Sequence, residues 1–177
     1  MSEMVSRSCQ QCLLFVGLTD HERKRVVDRM VEQSFHAGED ILHEGGESHS
    51  LYVLVEGTCA VNKHRTAPQS DRHLALLEPG AVFGEMSFLS SAVHSATVHA
   101  ESTVKALQLT REQFIALRDE HPTIAVTILG NVITVLSDRL RRMDDWVCNV
   151  IEGKGNPTQK EEWKQFRAKL FTEWNLF

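Results

Sequence analysis

The sequence predicts an α+β, mainly β domain: an antiparallel sandwich or small barrel held between helices. Three observations predict it. Apolar residues recur with a helical period between Asp20 and Gln33, give way to short, partly alternating segments from Ser34 to about Leu109, and return to a helical period after Thr110.

The first helical stretch carries Val26, Val27, Met30 and Val31 among charged residues, with Thr19 or Asp20 placed to cap it. The β region follows as "DILHEG", "SLYVLVEG", "CAVNKH", "RHLALLEPG", "ATVHAES" and "VKALQLT". Gly38, Gly45, Gly46, Gly57, Gly80 and Gly84 fall between the apolar runs, where a tight bend is needed. The polar "HRTAPQSDR", centred on Arg65 to Asp71, interrupts two strands and reads as a loop. Thr110 can cap "REQFIALRDEH", and His121-Pro122 ends that helix and starts a longer one.

The long helix has a seam, Val126, Leu129, Ile133, Leu136, Leu140, Met143, Val147 and Val150, spaced alternately three and four. A second face, Ile124, Ile128, Val132 and Val135, covers only its first half. That pattern predicts a helix packed on its own domain first and paired with a second copy beyond, so a homodimer through the seam is expected; burial of both faces within one subunit is the alternative. "EGKGNPTQ", Glu152 to Gln159, reads as a linker. Thr158 and Glu161 form a capping box for a tail helix with Trp163, Phe166, Leu170, Trp174 and Phe177 on one face. That face either docks on the chain's own core or anchors in a groove of another protein.

At 177 residues the chain suits one dominant core, here residues 1–150, with an appended segment at 151–177. Apolar residues at 42% and charged residues at 24% are the balance of a folded globular protein. A net charge of -5 gives no global attraction to nucleic acid or an anionic membrane, so any anion site must be local. The apolar run from Cys12 to Leu18 is too short to span a membrane and lacks the cationic start of a signal peptide, which predicts a cytoplasmic location. Cys59 and Cys148 read as packing residues. Cys9 and Cys12 have the spacing of half a metal or redox site, but nothing completes it, and an incidental helical pair is the simpler reading. No metal and no cofactor are expected.

The chemistry concentrates in "FGEMSFLSSAVHSATV". Gly84 stands where backbone can approach a ligand, and the amides of Met86 and Ser87 open a short helix, free to donate to an anion. Glu85 cannot serve the same anion; its carboxylate suits sugar hydroxyls beside it. No nucleophile, base and orienting group converge, so no enzyme is expected.

Those residues, with "LLFVGL", "FHAGEDILHEGG", "LYVLVEGTCAV" and "LLEPGAVFGEMSFL" in order, carry a resemblance. From about Leu13 to Val150 the chain resembles the cyclic-nucleotide-binding domain family of catabolite activator proteins and protein kinase A regulatory subunits. The resemblance implies an eight-stranded jelly-roll-like barrel with N-terminal helices, a phosphate-binding short helix and a long C-terminal helix. It implies that Gly84 and Glu85 meet the ribose 2'-hydroxyl and that the amides of Met86 and Ser87 hold the cyclic phosphate. An arginine binds that phosphate in the family, and His94 occupies its place here, followed by Ser95. Losing a charge-assisted bond costs about 1.5 to 3 kcal/mol, or roughly ten- to a hundredfold in affinity. Protonation of His94 would recover part of it, which predicts tighter binding in acid. The family's base-contacting position falls near Arg139 and Leu140. Only 27 residues follow Val150, too few for the helix-turn-helix of the activator branch.

The expected function is a stand-alone, non-enzymatic sensor of cyclic AMP or cyclic GMP that signals through the long helix and tail to a partner protein. The alternative is a degenerate, ligand-free domain acting as a dimeric interaction scaffold.

Overall fold

A computed structural model describes residues 12–63, 72–90 and 92–154, with the side chains of residues 72, 73, 146 and 149–154 outside that description. A short 3-10 turn, Leu13–Phe15, precedes helix α1, Asp20–Val27. Thr19 caps α1 in a full capping box with Glu22, satisfying two backbone donors at the helix start.

The expected helix to Gln33 is shorter than its apolar period suggested. It stops at Val27, and Val31–Phe35 forms β1, paired antiparallel with β8 from Val31↔Gln108 to Phe35↔Val104. Four valines and methionines in six residues satisfy either period, and the long-range pairing decides the outcome.

Eight strands are described, all but β1 and β6 on segments read as strands from the sequence: β1, β2 Asp40–Leu42, β3 Ser50–Glu56, β4 Cys59–Lys63, β5 Arg72–Leu77, β6 Val82–Phe83, β7 Thr97–Ala100 and β8 Val104–Thr110. They form two antiparallel four-stranded sheets, ordered β1-β8-β3-β6 and β2-β7-β4-β5. Leu42, Cys59, Leu77, Val98 and Ala100 from one sheet meet Tyr52, Leu54, Phe83, Val104 and Ala106 from the other. That sandwich core is the mainly β, jelly-roll-like architecture the resemblance implied.

β3 is buried from Ser50 to Val55 without alternation, because helices cover its outer face. The helical buried residues include Val26, Phe114, Leu117, Ile124, Ile128 and Val132. Helix α2, Glu85–Ser90, leaves the end of β6. Helix α3, Arg111–Glu120, is capped by Thr110 in a second capping box, with Gln113, and α4 is Pro122–Lys154. Pro122 opens α4 where its missing N–H costs nothing. The helix includes Glu152, Gly153 and Lys154, so the start of the predicted linker is helical.

The chain divides into two compact units, Met1–Val135 and Leu136–Phe177. The division falls within α4. In the first unit Ile124, Ile128, Val132 and Val135 are buried while Val126 and Ile133 are exposed. In the second, Leu140 and Met143 are exposed and Leu136 and Val147 are half-buried. The Val150 side chain, Cys9, and the tail with Trp163, Phe166, Leu170 and Trp174 lie outside the described residues.

Candidate functional site

The site begins where β6 turns into α2. Gly84 makes that turn at φ +80°, and a Cβ there would stand 2.4 Å from the Ser50 carbonyl oxygen. Glycine is required by this packing as well as by any ligand approach. The Gly84 carbonyl accepts from the Phe88 amide at 3.1 Å and from the Ser87 hydroxyl at 3.1 Å, which fixes the first turn of α2. Tyr52 stacks on Phe83 beneath it, ring centroids 5.1 Å apart, and Phe88 meets Phe114 edge-on at 5.3 Å. The first pair ties β6 to β3 just before the turn, and the second ties the short helix to α3.

Three polar side chains are buried around this turn: Glu85 at 2% exposure, Ser87 at 1% and His94 at 6%. His94 is the junction. Its Nδ1 lies 3.0 Å from Ser87 Oγ and its Nε2 lies 2.6 Å from Ser48 Oγ. Ser87 Oγ already donates to Gly84 O, so it accepts from Nδ1–H, and Nε2 then accepts from Ser48. The ring is a neutral Nδ1–H tautomer with both nitrogens satisfied.

The backbone around His94 is tied as firmly. Its N–H donates to Gly46 O at 2.9 Å and its carbonyl accepts from Gly45 N at 2.8 Å. Burial lowers the His94 pKa below its ordinary value, and the charge of His49 lowers it further. A Ser48–His94 pair has the outline of a nucleophile and base, yet a hydroxyl, not a carboxylate, stands behind the imidazole, and burial opposes its protonation. It suits bracing better than proton transfer.

The exposed rim holds the remaining residues. Met86 is 50% exposed, and Ser95 Oγ rests against its Sδ at 3.4 Å. Lys63 Nζ donates to the Ser95 carbonyl at 3.0 Å and stands 3.8 Å from Glu44. Gly84, Glu85, Met86, Ser87, His94 and Ser95 are therefore brought together, while Arg139 belongs to the second unit, beyond Val135. Ser48 and Lys63 were not singled out in the sequence. Ser48 carries no motif signal; Lys63 does, as a cation ending the alternating row Cys59, Val61, Lys63. Among the described residues no group of three His, Cys, Asp or Glu could hold a metal ion. Cys12 is buried.

A family model described as cyclic nucleotide-binding domain matches residues 32–121, half of the chain. The cyclic AMP receptor protein of Thermus thermophilus is 32% identical over 131 residues, which are 74% of this chain and 58% of that protein. A cAMP-dependent protein kinase regulatory subunit of Hypocrea atroviridis is 31% identical over 111 residues, 63% of this chain and 23% of that subunit. Among solved structures, the catabolite activator protein of Thermus thermophilus superposes with a TM-score of 0.68 at 30% identity. That superposition covers 76% of this chain and 61% of the other. The chain thus spans about three fifths of the Thermus protein's length and about a quarter of the Hypocrea subunit's.

Proposed function

Because the chain belongs to the cyclic nucleotide-binding domain family, we propose that it is a non-enzymatic regulatory module that takes cyclic AMP or cyclic GMP at Gly84, Glu85, Met86, Ser87 and Ser95. The carrying observation is the preserved cassette: a glycine at φ +80° leading into α2, with Glu85 and Ser87 buried at its start. A buried carboxylate beside first-turn amides suits a ligand with hydroxyls next to an anion. Arg139 would contact the base, the seam of α4 would join two copies, and a partner protein in the cytoplasm would read the ligand-dependent position of α4. No cofactor is needed for this role.

Isothermal calorimetry with cyclic AMP and cyclic GMP tests the reading. Saturable binding that Glu85→Ala reduces at least tenfold is the expected result; no saturable binding of either nucleotide overturns it.

One observation favours a second reading, a ligand-free dimeric scaffold. Both ring nitrogens of His94 are engaged by serine hydroxyls, so the residue in the family's arginine position has nothing left to offer a phosphate. His94→Arg separates the two. Under the first reading it tightens nucleotide binding by about ten- to a hundredfold, the worth of one charge-assisted bond; under the scaffold reading it creates no binding.

A further inference from the structure

We propose that Lys63 supplies the positive charge facing the ligand's phosphate, from strand β4 instead of from the position His94 occupies. This inference rests on the nucleotide-binding reading and names the residue that makes an anionic ligand acceptable to the site.

Strand alternation places Lys63 unusually. Across β4, Cys59, Val61 and Lys63 share one face, and Cys59 and Val61 both pack into the core between the sheets. A lysine therefore ends an inward-facing row at the open end of the sandwich. Its ammonium is not buried: the side chain is 52% exposed. It reaches across to β7's approach and donates to the Ser95 carbonyl at 3.0 Å, while Ser95 itself touches Met86. The ammonium is thus held at the backbone of Ser95, whose side chain meets Met86 at the proposed phosphate position.

Among the described residues, neither His94 nor Glu85 brings a positive charge to the pocket. His94 is neutral and locked between Ser48 and Ser87, and burial keeps it so. Glu85 is a buried acid. A phosphate entering beside a carboxylate and a neutral imidazole needs a cation, and a lysine on a flexible four-carbon stem can exchange a carbonyl for a phosphate oxygen without moving the backbone. Glu44, at 3.8 Å, offsets part of the charge and keeps the ammonium near the rim until an anion competes for it.

Calorimetry with cyclic AMP and with adenosine, on wild type, Lys63→Gln and Lys63→Arg, tests this. Expected are a ten- to hundredfold loss of cyclic AMP affinity in Lys63→Gln, adenosine affinity unchanged, and recovery in Lys63→Arg, which also shows that the strand tolerates the site's replacement. Cyclic AMP bound by Lys63→Gln as tightly as by wild type overturns the role of Lys63 and leaves the nucleotide reading standing. Equal wild-type affinity for adenosine and cyclic AMP overturns it as well, because no charge is then being used. Failure of wild type to bind either compound overturns the nucleotide reading itself, and the inference with it.

Discussion

Burial and the nearby charge of His49 hold the His94 imidazole below its ordinary value near 6.5. Between the lowered folded value and 6.5 the unfolded chain binds more protons than the folded one, so stability rises with pH across that window. His94's contribution is complete above about pH 6.5 and is lost as pH falls through it. Replacing it with Ala removes two hydrogen bonds, leaving Ser87 its bond to Gly84 and the exposed Ser48 to water, and costs roughly 1 to 3 kcal/mol at pH 8. Urea unfolding should show that cost shrinking toward pH 5.5. A cost independent of pH would mean the ring is not the titrating group. The same geometry bears on the acid-tightened binding expected from the sequence, because a proton on Nε2 would turn the Ser48 hydroxyl from donor to acceptor and remain engaged by it. That His94 departs from an arginine was readable in one dimension. That it braces two loops was not, since Ser48 lies 46 residues away.

The elements were legible where their signals are local and obscure where they depend on distant chain. Thr19, one of the two candidates, and Thr110 cap their helices, and six of the strands sit on the quoted segments. β1 was hidden because Met30 and Val31 fit a helical stripe until β8 is available to pair with them. Asn131 was invisible for the same reason. On α4 it extends Nδ2 to the carbonyls of Leu14 and Val16, at 2.9 and 2.8 Å, and so fastens the 3-10 turn to the helix across more than a hundred residues. Two amide hydrogen bonds to backbone carbonyls are worth about 1 to 3 kcal/mol together. Asn131→Ala should lower stability by that amount in urea titration and speed limited proteolysis near Leu14. Unchanged cleavage with lowered stability would place the loss elsewhere on α4.

At the scale of the molecule, the question is what covers the outer stripe of α4. Val126 is 68% exposed, Ile133 57%, Leu140 59% and Met143 57%, all on the predicted seam, whereas the second face ends in the core at Val135. Pro122–Asp145 also has the length and apolar composition of a membrane span. A span needs apolar residues on every side, and here Ile124, Ile128 and Val132 are committed to the first unit's core while Asp138, Arg139, Arg141 and Arg142 interrupt the stretch. A seam spaced three and four fits a second copy better, and burial of one such aliphatic side chain stabilises by about 1.5 to 3 kcal/mol. The exposure values choose the variants: Ile133→Asp and Leu140→Asp alter residues the single chain leaves in water, so the fold should survive them. Light scattering should find wild type near twice its 20.0 kDa and the double variant near that single mass, with unchanged circular dichroism. A monomeric wild type would show that the stripe meets something other than its own copy, and persistence of dimers in the double variant would move the interface off α4.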